Sequence, residues 1–427
     1  MRRPHGPGTG LALSAVMAVL VGGAAGASAQ GPAVRAEACM ACHLEQKEER
    51  LAAPARDFAT EDVHGQNGLD CLSCHGGGAG TAAMIRPERQ DIPVLCDRCH
   101  GDADYMKTFD PGMRVDQLIE YRSSAHGRGL AAGDADVATC ADCHPPHRIL
   151  PPDDTESSVH PATVALTCGR CHADVELMAA RGHRADQQDA WRGSVHGRAM
   201  EEEGDLSAPT CNDCHGNHGA APPGVASVRN VCGQCHATVQ DFFTGSGHVE
   251  PFVAAGLPGC TTCHEHHAIE PPTDGLLLSR AQGLCGDCHD PGEPGALAFV
   301  EMHDLIDELR SSQAAGHEVL LHAEDLGMEV SQALFELEDV GTALTKARTA
   351  VHTLSVEPVR EEVAVGLDIA DRAEERGRTA LREHKERRYG LAMSAGLIAL
   401  LVVGLVLKIN DMEGRAPAGA PPGRNGS

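Results

Sequence analysis

The chain has 427 residues, a formal net charge of −26 and 3% aromatic side chains. The acidic balance argues against nucleic acid or an anionic lipid surface as the main partner. So few Phe, Tyr and Trp would leave a thin core for this length, and 48 Gly and 25 Pro point to short loops and turns.

Arg2 and Arg3 precede an apolar run from Leu11 to Ala25, and Ala27-Ser28-Ala29 follows it. This is the pattern of a secretory signal peptide over residues 1–29, with cleavage before Gln30.

Residues 30–292 hold nine Cys-x-x-Cys-His motifs, which use all 18 cysteines. The first three are Cys39, Cys42 and His43, then Cys71, Cys74 and His75, then Cys96, Cys99 and His100. The middle three are Cys140, Cys143 and His144, then Cys168, Cys171 and His172, then Cys211, Cys214 and His215. The last three are Cys232, Cys235 and His236, then Cys260, Cys263 and His264, then Cys285, Cys288 and His289. The spacing is that of c-type haem attachment: two thiols one turn apart add to the two vinyl groups of one porphyrin. The next His then lies under the iron. Zinc ribbons do not require a His after every pair, and a disulfide scaffold would not place every cysteine in identical pairs. Nine covalently bound haem c groups are therefore expected, with the porphyrins supplying the missing core. Haem c is attached outside the cytoplasmic membrane, and this chemistry requires the signal peptide.

The motifs repeat in a larger pattern. Tyr121-Arg-Ser-Ser-Ala-His126, Trp191-Arg-Gly-Ser-Val-His196 and Phe243-Thr-Gly-Ser-Gly-His248 each precede a pair of motifs, and a weaker copy ends at His64. Each module is thus a leading His followed by two motifs; the motif at Cys39 stands outside the four modules. A second His lies three residues after the proximal one in three modules, at His147, His218 and His267. So short a tether keeps it from the opposite face of its own iron, so it is expected to ligate a neighbouring haem. Nine candidates face nine irons: His64, His126, His147, His160, His183, His196, His218, His248 and His267, of which His160 and His183 lack the repeat context. His266 is an alternative to His267.

Over residues 293–388 cysteine vanishes and Leu, Glu and Ala rise. Leu305, Ile306 and Leu309 mark one stripe; Leu326, Val330, Leu334, Leu337 and Val340 mark another. Three helices in a hairpin or bundle are expected, with breaks at Gly316 and Pro358. Among the histidines here, His303 follows the last haem motif most closely.

Residues 389–409 contain an uncharged run, Leu391 to Leu407, about long enough to span a bilayer as a helix. Arg382, Lys385, Arg387 and Arg388 precede it, whereas only Lys408, Arg415 and Arg424 follow it. The positive-inside rule favours the reverse orientation. Haem attachment nevertheless puts the large domain outside, leaving residues 410–427 as a cytoplasmic tail. The expected fold is mostly α with extensive irregular loop: a haem-packed domain, a helical hairpin or bundle and a C-terminal transmembrane helix.

From Cys39 to His289 the chain resembles the multihaem cytochromes c with doubled Cys-x-x-Cys-His motifs. Haem pairs followed by long helices also resemble, in architecture alone, the hydroxylamine oxidoreductase and nitrite reductase superfamily. Those nitrite reductases replace one proximal His by Lys, and no Cys-x-x-Cys-Lys occurs here. The hydroxylamine oxidoreductases use a crosslinked Tyr; here only Tyr105, Tyr121 and Tyr389 exist, and none is suitably placed. No catalytic residue is assigned. The expected function is electron transfer at the inner membrane by a single-pass protein whose haem domain lies in the periplasm. The expected partners are a quinol-oxidising or other membrane redox complex and a soluble donor or acceptor. The alternative is an oxidoreductase with one five-coordinate haem acting on a small nitrogen or sulfur compound.

Overall fold

The computed structural model describes residues 36–76, 87–219, 228–282, 284–290 and 292–414. The expected signal peptide, and the tail beyond Gly414, lie outside the described residues. Among the described residues there are helices and turns but no strand.

Up to His289 the chain folds into short helices, mostly of four to twelve residues, such as Glu49–Thr60, Ile92–His100 and Pro161–His172. This is more regular than the Gly and Pro content implied. Local caps account for the difference: Asp62, Asp102, Ser124, Asp174 and Ser194 each accept a backbone N–H from the first turn of the helix they open. The apolar core here is thin. Its buried residues include Met106, Leu118, Val164, Met178, Trp191 and Met200, beside buried polar Asp62, Thr139 and Thr210.

The second region is a three-helix bundle of Pro294–Asp325, Ser331–Ala350 and Val356–Gly414. Met302, Ile306, Leu309, Leu320 and Val340 are fully buried there with Val359 and Val363. Leu309 meets Gly366, and Val319 meets Gly377, so the first and third helices run parallel. A Cβ at Gly377 would stand 2.3 Å from Val319 Cγ1, so glycine is what lets these helices approach. The expected break at Gly316 is absent. That residue is buried inside a continuous helix, where a Cβ would stand 3.5 Å from Leu337 and 3.6 Å from the Ala370 carbonyl. The break falls at Gly327 (φ +78°), where the Met328 amide closes the helix onto the Ala323 carbonyl at 3.1 Å. Pro358 lies in the first turn of the third helix, a position that proline tolerates.

The third helix has 59 residues and continues unbroken from the bundle into the apolar run. Its apolar window has a mean hydropathy of 2.5 with none of it buried, and it is long and apolar enough to cross a membrane. At the other end, Arg348 Nε and Nη2 each donate to the Asp274 carboxylate at 2.8 Å, which ties the bundle to the haem-motif region.

Candidate haem sites

Each Cys-x-x-Cys-His motif has to form one tight turn. At Cys140 and Cys211 that turn is opened by a reciprocal cap. The Thr139 amide donates to Asp142 at 2.7 Å and the Thr210 amide to Asp213 at 2.8 Å. Asp70 and Ser73 play the same parts at Cys71. The turn sets the two cysteines of the motif one helical turn apart, and none of the cysteines is in a disulfide.

The first cysteine of every motif is half-buried, whereas the second lies further out in several of them. Cys42, Cys171, Cys235 and Cys288 are exposed, and Cys99 and Cys263 are half-buried. The expected core around these thiols is thus not made by polypeptide. A thiol on the outer side of its turn is one that a porphyrin vinyl group can reach, as thioether formation requires.

The leading histidines are held by a second repeated device. Tyr121 Oη donates to the Ala138 carbonyl at 2.8 Å, and Trp191 Nε1 donates to the Pro209 carbonyl at 3.0 Å. Both acceptors lie two residues before the first cysteine of a motif, so the aromatic clamps the leading helix onto the haem-binding turn. After His126 and His196 the next residue must be glycine: a Cβ at Gly127 would stand 1.9 Å from the Tyr121 carbonyl, and at Gly197 2.2 Å from that of Trp191. Successive modules are joined by the Val63 amide to the Ile149 carbonyl at 2.9 Å and the Val195 amide to that of Ile269 at 2.8 Å.

These devices bring histidine rings together in pairs, in two sets. In the first, the second motif of each module meets its own leading His. His100 faces His64 at 5.9 Å between ring centroids, His172 faces His126 at 6.1 Å, His236 faces His196 at 6.3 Å and His289 faces His248 at 6.1 Å. In the second, the first motif meets a His of the next module: His75 faces His147 at 5.8 Å, His144 faces His218 at 6.5 Å and His215 faces His267 at 5.9 Å. His147 adopts a left-handed backbone (φ 73°), which non-glycine residues seldom do.

The last module has no successor to supply a ring. Its first motif, His264, faces His352 at 6.0 Å. His352 lies in the turn between the second and third bundle helices, and its Nδ1 donates to the Thr349 carbonyl at 3.1 Å, which leaves Nε2 as the acceptor. Sequence reasoning ranked His352 with His317 and His322, below His303, because it stands outside the repeat; the signal was the end of the repeat at the last module.

His160 and His183, the two candidates without repeat context, face no motif ring. His160 is buried and caps the helix Pro161–His172, its Nδ1 accepting the Ala162 amide at 3.1 Å. That bond places the ring proton on Nε2, the atom a metal would need bare. His266 lies edge-on to His267 at 4.9 Å, and His303 contacts Asp304 at 3.1 Å. His43 donates from Nδ1 to the Leu51 carbonyl at 3.0 Å, the orientation of a proximal ligand. Among the described residues, no second histidine ring stands opposite it.

The facing rings fit a bis-imidazole iron. Metal–imidazole bonds of about 2 Å on both sides would put the ring centroids about 6 Å apart, and the eight pairs lie at 5.8–6.5 Å. Burial, and then the facing ring, hold His126, His144, His196 and His248 below the ordinary imidazole range, and burial does the same for His352. Burial thus disfavours the protonated form of these five rings, and the neutral imidazole is the form that binds metal.

The cysteines are ordered as well. Hydrogen bonds between thiols join Cys96 to Cys140, Cys168 to Cys211 and Cys232 to Cys260, and Cys71 lies against Cys39. Burial and then the nearby Cys168 push Cys143 up to about 11, and burial and then Cys232 push Cys214 up to about 11. Cys74, raised by burial, lies within electrostatic reach of Cys96 and Cys99. The attachment points from Cys39 to Cys260 therefore adjoin one another in sequence order.

Residues 154–237 match the family described as cytochrome c7 and related cytochrome c, and residues 251–294 match the family of the doubled CXXCH motif. No curated protein and no solved structure matches the chain. The two matched segments hold five of the nine motifs, and the caps and facing rings described above carry the same pattern into the motifs before residue 154. The chain is a mostly helical member of the multihaem c-type cytochromes with doubled Cys-x-x-Cys-His motifs, a family that binds haem c covalently and transfers electrons.

Proposed function

We propose that the protein is a membrane-anchored electron conduit with nine haem c groups, attached in chain order through the 18 cysteines. The observation that carries this reading is the set of eight facing imidazole pairs, each joining a motif His to a second ring. In the proposal, His64, His126, His147, His196, His218, His248, His267 and His352 are distal ligands to His100, His172, His75, His236, His144, His289, His215 and His264. Haem, when bound, supplies a one-electron couple whose potential depends on its axial ligands, hydrogen bonds and burial.

The residues around it hold each ring in place. Tyr121 and Trp191 fix the leading helices, Asp62 holds the His64 ring at 3.1 Å, and Glu293 lies 3.4 Å from His289 Nδ1. A ligand supplied across each module boundary makes consecutive attachment sites move as one body, and adjoining cysteine tethers support stepwise transfer along the array.

The apolar helix would anchor the protein as a single span in the cytoplasmic membrane. The haem region would then lie in the periplasm, exchanging electrons between a quinol-linked or other membrane redox complex and a soluble partner. The test is a stepwise reductive titration of the purified protein followed by its absorption spectrum, with the intact mass measured in parallel. The expected result is a mass nine haems above the processed polypeptide and mainly low-spin spectra reduced over a spread of potentials. A zinc-loaded, haem-free product from cells that assemble c-type cytochromes would overturn the proposal.

A further inference from the structure

The pairing rule leaves one iron at each end of the array without a partner from the repeat. At the C-terminal end the bundle supplies His352. At the N-terminal end the register can be read from the cysteines. Cys39 lies against Cys71 as Cys96 lies against Cys140 and Cys168 against Cys211. In those two pairs the first-named cysteine opens the second motif of a module and the other opens the first motif of the next. The motif at Cys39 therefore takes the place that the second motif of a module takes elsewhere.

Every other second motif is faced by the His that leads its own module. Before Cys39 the only histidine is His5, within the expected signal peptide. His43 is nonetheless oriented as a proximal ligand by its bond to the Leu51 carbonyl, and it lies within electrostatic reach of His147, the ring that faces His75. Both candidates not used by the repeat are otherwise disposed: His160 caps a helix through Nδ1, and His183 lies within electrostatic reach of His172.

We propose that the distal position opposite His43 is a binding site for a small exogenous ligand of the π-acceptor or nitrogen-oxide class, at the end of the electron array. This rests on the haem assignment above. The other eight positions are closed by imidazole, and among the described residues no ring closes this one, so a ligand from outside enters here and electrons reach it through the neighbouring site at His75.

Carbon monoxide titration of the reduced, detergent-solubilised full-length protein tests the site. The expected result is one carbon monoxide per nine haems. That binding should be lost in the double variant carrying Cys39→Ala and Cys42→Ala, whose mass falls by one haem while its other haems stay low-spin. No carbon monoxide binding to a protein that carries nine haems by mass would overturn the site while leaving the conduit intact. Binding that survives in the double variant would also overturn it. Should that variant fail to accumulate, His43→Gly with added imidazole serves instead. Carbon monoxide binding that changes with imidazole concentration supports the site, and binding indifferent to it counts against it.

Discussion

The plane angles of the facing imidazoles divide by motif position. The four pairs on first motifs are nearly parallel, at 15°, 17°, 25° and 26°. The four on second motifs are more steeply crossed, at 89°, 56°, 32° and 55°. The mutual angle of two axial imidazoles sets how strongly they split the iron d orbitals. Frozen-solution electron paramagnetic resonance of the oxidised protein should therefore give two families of low-spin signal, a rhombic one and a strongly anisotropic one. A single family would contradict these ring orientations. The clamp residues give a second prediction. Trp191→Phe keeps an aromatic ring but loses the bond to the Pro209 carbonyl and part of the buried indole volume, so it should destabilise its module by about 1–3 kcal/mol with its haems retained. Thermal unfolding followed at the haem absorption reads this.

At the scale of elements, the motif modules were legible because the chemistry repeats: 18 cysteines in one spacing and a leading aromatic-to-His segment admit few arrangements. The residues that lay beyond reach act only once. His352 belongs to no repeat, and its role follows from three-dimensional closure of the last module. Gly316 was expected to end a helix on propensity, a cost of about 1 kcal/mol, but close packing against Leu337 and the Ala370 carbonyl outweighs it. His352→Ala should convert the iron held by His264 to a high-spin form that binds carbon monoxide, adding a second such site. The bundle should stay helical, since Ile306, Leu309, Val340 and Val359 do not depend on the ring. Unchanged spin states would remove His352 from the ligand set. The nearby Arg348–Asp274 contact should tolerate mild acid. The hydrogen bond from Arg348 holds Asp274 below the ordinary carboxylate range, so its contribution is present above the unfolded carboxylate pKa and is lost only as pH falls through the lowered one. Limited proteolysis between the haem region and the bundle should therefore be unchanged from about pH 7 to about pH 5 and accelerate only below it.

For the whole molecule, the third helix rises 35 residues from Val356 to Leu391, about 50 Å at 1.5 Å per residue. The described contact between Asp274 and Arg348 lies near the start of that rise. With the anchoring proposed above, the bundle would stand as a stalk between the bilayer and the haem-motif region. Truncation after Glu386 should release a soluble protein that keeps its full haem content, as fractionation and intact mass would report. Retention in the membrane fraction would place the anchor elsewhere.

The central claim is that eight irons are each held between two protein imidazoles while the one at His43 is not. Mössbauer spectroscopy of the oxidised, iron-57-enriched protein counts this directly, because each iron contributes area according to its spin state. The account predicts eight parts of low-spin ferric iron to one part high-spin. A spectrum that is mostly high-spin would contradict the facing-ring assignments, and one that is wholly low-spin would contradict the open position at His43.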